Sequence, residues 1–228
     1  MCMIRKLLRP IVRPIRAVMH QMHGVMLSYR LPRPTHGLGR FVRRDGKVKV
    51  KIHVAKGAQV VLKGHIIFQS DLGEIGCTTI NVGKNAKLIV LGDFQIGPDV
   101  MIMVCDGAEL VVGGKRNASA SGVTSSAKIM VRKRVEIGFD TIIAWDTFIT
   151  DCDWHTIHGK QHTVPTKIGD NVWIAHGASI LKGSQIGNGS IVATHAVCSM
   201  KEYPEAVLLA GVPAKVIQEN ISWTRELL

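Results

Sequence analysis

The sequence predicts an all-β solenoid: short strands stacked in coils, with one six-residue unit repeated along the chain. Two observations carry this. From Ile168 an aliphatic residue recurs at every sixth position, as Ile168, Ile174, Ile180, Ile186 and Val192. Four residues after each stands a small or β-branched residue: Val172, Ala178, Ser184, Ser190 and Ala196. A third observation is composition. With 5% aromatic residues and 23 glycines among 228 residues, the chain suits thin stacked layers better than a globule held apart by large rings.

A period of six fits neither the 3.6-residue helical repeat nor simple two-residue alternation. It suits short strands joined by tight corners, with the aliphatic side chain pointing inward and the small residue at the turn. Gly169, Ala175, Gly187 and Ala193 follow four of the aliphatics, where a larger side chain would crowd the next coil. An ordinary β-sandwich gives no reason for five consecutive periods. An earlier register runs Val131, Ile137, Ile143, Ile149, with Val135, Thr141 and Thr147 at the small position. A looser version appears around Val54–Ala58, Val82–Ala86 and Ile96–Val100. Each coil buries its inner face only against its neighbours.

Three segments result. Residues 1–50 form a basic arm, residues 51–215 the solenoid, and residues 216–228 a short helix capping its open end. The net charge of +12 is concentrated in the arm, since residues 1–51 carry 13 Lys/Arg against the single acid Asp45. A neutral body argues against a nucleic-acid channel. Within the arm, Ile4, Leu7, Leu8, Ile11, Ile15, Val18, Met19 and Met22 fall at helical spacing between arginines, although Pro10 and Pro14 oppose one straight helix. Two readings stay open: residues 1–30 lie on an anionic membrane surface, or they pack on the solenoid. No apolar run reaches the ~18 residues needed to span a bilayer. The arm's apolar stretch is broken by Arg and Pro, so no signal-peptide core is expected. Five widely spaced cysteines without a CxxC suit reduced thiols. The expected location is cytoplasmic, with peripheral contact on the inner face of the membrane as an option.

The run Ile168-Gly-Asp-Asn-Val-Trp-Ile-Ala-His-Gly-Ala-Ser-Ile-Leu-Lys-Gly183, then Ile186-Gly-Asn-Gly-Ser190 and Ala210-Gly-Val-Pro-Ala-Lys-Val-Ile217, resembles the hexapeptide-repeat acyltransferases. These include galactoside and maltose acetyltransferases and O-acetyltransferases of surface polysaccharides. The match covers about residues 129–217. It implies a left-handed parallel β-helix, an exception to the right-handed crossover preference. It also implies a homotrimer with active sites at subunit interfaces, and acetyl-CoA as co-substrate with no metal required.

The sharpest chemical feature is Asp151-Cys-Asp-Trp-His155, which precedes a stretch holding His158 and His162. Acyl transfer from a thioester needs a base for the acceptor's proton, and histidine suits that task. A neighbouring carboxylate fixes the imidazole's tautomer, and Asp153 and Asp151 are candidates. The segment resembles the Asp-x-Asp-x-His stretch of polysaccharide O-acetyltransferases, which places the general base on His155. Trp154 is either a wall for a sugar ring or a loop anchor. His158 is either an acceptor-pocket residue or an exposed loop residue.

For coenzyme A, the resemblance points to Ala175, His176, Ala193 and Thr194 as a groove bound largely through backbone, and to Lys201 and Lys215 near the nucleotide phosphates. His176 and Thr194 lie 18 residues apart, one coil, so they stack at a strand spacing of ~4.8 Å. Thr194-His195 departs from the small pair usual in the family. The acceptor implied is a sugar hydroxyl in a polysaccharide or lipopolysaccharide precursor, and the runner-up is the amine of a nucleotide sugar. A zinc carbonic anhydrase of the same fold is a poor fit, because Leu181 stands where the second metal-binding His would fall. A non-catalytic trimeric scaffold is the remaining alternative.

Overall fold

The structure is a computed structural model that describes residues 34–225. The membrane reading of residues 1–30 lies outside the described residues. Among the described residues no helix is long and apolar enough to cross a membrane.

The chain is a left-handed parallel β-helix with three faces. The first face has nine strands, starting at Phe41–Arg43. The second has seven, starting at Val48–Val54, and the third seven, starting at Gln59–Leu62. Successive strands step from the first face to the second, the third, and back. We call the corner from first to second face X, from second to third Y, and from third to first Z.

The register explains the six-residue pattern. On the first face Phe68, Ile96, Val123, Ile143, Ile174, Val192 and Leu209 stack in one buried column. On the second, Ile80, Ile102, Ile129, Ile149, Ile180 and Cys198 do the same. Each fully buried aliphatic contributes about 1.5–3 kcal/mol relative to exposure. Upstream the pattern is looser because corner Y is longer there. Val82 and Val90 are eight residues apart, as are Val104 and Val112, against six for Val131 and Ile137.

Buried hydroxyls at the small positions are satisfied by corner carbonyls. Thr141 Oγ1 donates to Gly169 O at 2.9 Å, Thr147 Oγ1 to Ala144 O at 2.7 Å, and Ser184 Oγ to Leu181 O at 2.7 Å. Gly187 allows a close approach: a Cβ there would run into the backbone of Pro204 and Glu205 in the next coil.

Acidic and amide side chains tie coil to coil at the corners. At Z, Asp170 accepts Phe139 N–H at 2.7 Å, and Asn188 accepts Asp170 N–H at 2.8 Å. Asp140 accepts the N–H groups of Arg116 and Asn117 at 2.7 and 2.9 Å. Burial by itself pushes the Asp140 carboxyl up. The backbone donors of Arg116, Asn117 and Ala118, with the nearby Arg225 charge, outweigh it and hold the pKa below its ordinary value. The stability it contributes is therefore present above the unfolded carboxyl pKa of about 3.9 and is lost as pH falls through the lower folded value. Asp140→Asn should flatten the fall of melting temperature between about pH 5 and pH 2. Parallel curves for parent and variant would count against this assignment.

Two sequence expectations change. The prism begins at Phe41, inside the 1–50 segment, and even Thr35 and His36 donate their N–H groups to Val60 O. The expected helix over 216–228 is not formed in its described part. Lys215–Gln218 is a strand, antiparallel to Leu208–Ala210. The chain bends at 219–220, with Asn220 at φ +55°, and residues 221–225 then run along corner Z. Ile221 N–H donates to Ala206 O at 2.9 Å and Trp223 Nε1 to Asn171 O at 3.1 Å, while Arg225 lies close enough to Asp140 to influence its charge. The end of a prism offers unpaired strand edges, and a strand plus a strap satisfies them where a helix would leave them open.

Candidate active site

The candidate base lies on the largest interruption of the repeat. Ile149 and Ile168 are 19 residues apart instead of six, so residues 152–165 leave corner Y as a loop. Its neck is pinned. Cys152 and Thr163 form an antiparallel bridge, Asp153 N–H donates to His162 O at 2.9 Å, and Val164 N–H to Asp151 O at 2.9 Å. Its tip turns at 157–160, where Lys160 N–H reaches Ile157 O at 3.0 Å.

Asp151 is fully buried below this neck. Its two oxygens accept the N–H groups of Arg132, Lys133 and Arg134 at 2.6–2.7 Å. The carboxylate is engaged by the preceding coil and anchors the loop there. Asp153 pairs with Lys182, which stands one coil on at the same corner, is only 12% exposed, and also donates to Gln161 O at 2.6 Å. Both carboxylates named from the sequence thus hold the loop to the prism. His155 and His158 are exposed on the loop. Trp154 has φ +64°, a left-handed conformation it shares with ten other non-glycine residues among the described residues.

The other candidate residues sit at corner X. The register pairs Ile174 with Val192, so Ala175 lies over Ala193 and His176 over Thr194. The amides of Ala175 and Ala193 are used in the ladder, donating to Val192 O and Leu209 O at 2.9 and 2.8 Å. A column of rings runs along this edge. The Trp145 and His176 centroids are 5.4 Å apart, and those of His176 and His195 5.0 Å. His176 Nδ1 lies 3.2 Å from Trp145 O and 3.6 Å from Asp146 Oδ2. A carbonyl only accepts, so Nδ1 carries the proton and Nε2 of the neutral ring keeps its lone pair.

Lys215 pairs with Ala210 at the X end of the last coils, whereas Lys201 belongs to corner Y, 5.3 Å from the Tyr203 ring. Within one protomer, then, His155 and Lys201 stand at one edge of the second face and His176, Thr194 and Lys215 at the other. Sequence reasoning missed Lys182 as the loop clamp and the Trp145–Asp146–His176 contacts. Both join side chains about 30 residues apart, across the 13 residues that interrupt the repeat. Among the described residues no group of three or more His, Cys, Asp or Glu is placed to hold a metal ion. Cys77, Cys105, Cys152 and Cys198 are free thiols.

Repeat, prism and corner columns make this chain a left-handed parallel β-helix of six-residue repeats. Residues 165–199 match the family described as bacterial transferase hexapeptide (six repeats). The chain is 33% identical over 91 residues to a galactoside O-acetyltransferase of Escherichia coli K12, covering 37% of this chain and 44% of that one. It is 29% identical over 152 residues to a polysialic acid O-acetyltransferase of Escherichia coli O1:K1, covering 64% and 45%. The crystal structure of the polySia-specific acetyltransferase NeuO aligns over 85% of this chain and 82% of that one, with TM-score 0.45 and 22% identity. The chain spans about half the length of the curated relatives it matches.

Proposed function

We propose that the protein is a trimeric acyltransferase that moves an acyl group, acetyl in the first instance, from acyl-CoA to a hydroxyl of a sugar in a surface polysaccharide or lipopolysaccharide precursor. The observation that carries it is the placement of the two half-sites at opposite edges of one face. That face lies between the two half-sites and offers apolar side chains to a neighbour. By strand alternation Met101, Met103, Met130, Phe148 and Val197 point outward from it, none of them fully buried. The third face presents the charged Lys87, Glu109, Arg134, Glu136 and Lys167 beside Val61, Ile89 and Val111. Three copies with the second face toward a common axis bring corner Y of each protomer to corner X of the next, a head-to-tail contact that closes. The site is incomplete without the second copy.

In that arrangement the His155 imidazole takes the proton of the acceptor hydroxyl as its oxygen attacks the thioester carbonyl, and the CoA thiolate leaves. The pantetheine arm lies along corner X. Ala175 and Ala193 keep the groove shallow, the backbone at His176 and Thr194 faces the arm, and Lys215, with the neighbour's Lys201, lies toward the phosphates. Asp153 acts on His155 through the loop. Lys182→Met and Asp153→Asn should each lower turnover about tenfold, and the double variant should lose little more, because both break one contact. Additive losses would separate the two residues. Trp154 and His158 are the loop side chains nearest the acceptor.

Two measurements test the whole reading. Light scattering of the full chain should give three times the mass of the 24.9 kDa protomer. Acetyl-CoA offered with a panel of sugars should release free thiol. An active monomer would remove the shared site, and a trimer that neither binds CoA nor releases thiol would favour a scaffold. A product stable to mild alkali would identify an amide and shift the acceptor to an amino sugar.

A further inference from the structure

The charge of the prism is gathered at the end where the chain enters it. Residues 40–64, which make the first coil, carry eight Lys/Arg and the single acid Asp45, whereas residues 65–225 carry 14 Lys/Arg and 15 acids. The carboxylate of Asp45 accepts the N–H groups of Lys47 and Ser70, at 2.9 and 3.0 Å. Exposed cations stand at every corner of this coil: Arg44 and Lys47 at X, Lys56 at Y, Arg40 and Lys63 at Z. In later coils Arg116, Arg134 and Lys182 are instead held in ion pairs. Residues 36–39 form a last layer over the first coil. Gly39 N–H donates to Leu62 O at 2.8 Å, and Leu62 N–H to His36 O at 3.0 Å. Leu38 stands in that layer, 94% exposed. Val48–Val54 is the outermost strand of the second face among the described residues, and the exposed Lys49 and Lys51 on it guard a strand edge against pairing with another chain. Edge protection accounts neither for the cations at the corners nor for an apolar side chain left in water.

We propose that this end of the prism docks on an anionic lipid bilayer, with the prism axis along the bilayer normal. Cations at all three corners of one coil present a ring to a flat negative surface, which attracts each Lys or Arg that comes within a Debye length. Leu38 enters the headgroup layer. Residues 1–33, which lead into this end, add seven Lys/Arg and no acid. In a cyclic trimer the protomers point the same way along the axis, so three such coils meet one surface. A soluble polyanion matches the charge but gives no reason for the exposure of Leu38. Docking stands without the acyltransferase reading; its consequence for the reaction rests on that reading. The loop bearing His155 leaves the fifth coil, four steps of ~4.8 Å from the first and so about 20 Å above the docking end. An acceptor anchored in the same bilayer is then modified at units that reach that height.

The test is co-sedimentation of the full chain with phosphatidylglycerol vesicles and with phosphatidylcholine vesicles. Binding to the anionic vesicles should be about tenfold or more tighter, and should weaken as salt rises. The triple variant Lys47→Gln, Lys56→Gln, Lys63→Gln removes one cation from each corner and should weaken it by about 10- to 100-fold. A second triple variant, Lys115→Gln, Lys133→Gln, Lys167→Gln, removes the same charge from later coils and should weaken it by no more than about twofold. Both should melt with the parent, since all six side chains are exposed. Leu38→Ser should loosen the contact and Leu38→Trp tighten it. Equal losses in the two triple variants, or no loss in either, overturn the proposal. So does equal binding to the two kinds of vesicle. Polyphosphate bound as tightly as vesicles, with both Leu38 variants silent, identifies a soluble polyanion and likewise overturns it. Thiol release with a soluble acceptor and no vesicles should be unchanged in the first triple variant. If the parent releases no thiol with any acceptor, the acyltransferase reading fails while docking stands.

Discussion

Replacing His155 with Ala is expected to cut turnover by about 10²–10⁴, the usual worth of a positioned general base. CoA affinity should stay near the parent value, because the proposed groove holds the pantetheine arm largely through backbone and not through the His155 side chain. Folding should be unaffected, since the side chain is exposed and the neck of the loop is held by the Cys152–Thr163 bridge and the Lys182 contacts. The parent's pH–rate profile should show an ascending limb that the variant lacks. A folded, trimeric variant with parent-like turnover on the true acceptor would remove His155 from the role. His158 would then be the next candidate.

The second large effect is expected at Asp151, and on stability. One fully buried carboxylate satisfies three backbone N–H groups of the preceding coil. Hydrogen bonds to a charged acceptor are worth about 1.5–3 kcal/mol each, and stranded buried donors add their desolvation cost. Bonds that share one carboxylate do not simply add, so Asp151→Ala should destabilise the fold by about 3–5 kcal/mol. Asp151→Asn should cost less, because its amide keeps one accepting oxygen. Turnover per folded molecule should also fall, as the loop that carries His155 leaves the prism at this residue. The pattern separates the two positions: Asp151 variants lower the melting temperature and His155 variants do not. An Asp151→Ala protein that melts within a degree or two of the parent would show that the three amides find other partners.

These two residues show how far the sequence could be read. Both stand in the segment 151–155, and both read there as catalytic groups because a carboxylate near a histidine has a known use. The chain order does not reveal which carboxylate is already engaged. Asp151 is bound by amides 17–19 residues earlier, and Asp153 by a lysine 29 residues later. Each contact crosses to a neighbouring coil, and the loop of 152–165 breaks the arithmetic that relates one coil to the next. Where the repeat is unbroken, the same arithmetic works. Eighteen residues separate Ala175 from Ala193 and His176 from Thr194, and the register stacks them as that spacing requires. The tail shows the opposite case. Residues 216–228 read as a helical cap, yet Lys215–Gln218 pairs with the open edge of the first face and the strap binds the corner carbonyls of Ala206 and Asn171.

The sequence by itself determined the solenoid, the inward columns and the interruption that carries His155, because a six-residue period is a local property repeated until chance is excluded; the three-face coil is implied by the family resemblance. Only the tertiary structure decided which acids anchor the loop, that Lys182 clamps it, that His155 and His176 stand on opposite edges of one face, and that residues 215–225 form a strand and a strap. Those facts depend on which side chains meet across coils. Loop length and unpaired backbone groups set those meetings, and a periodic pattern carries no record of either.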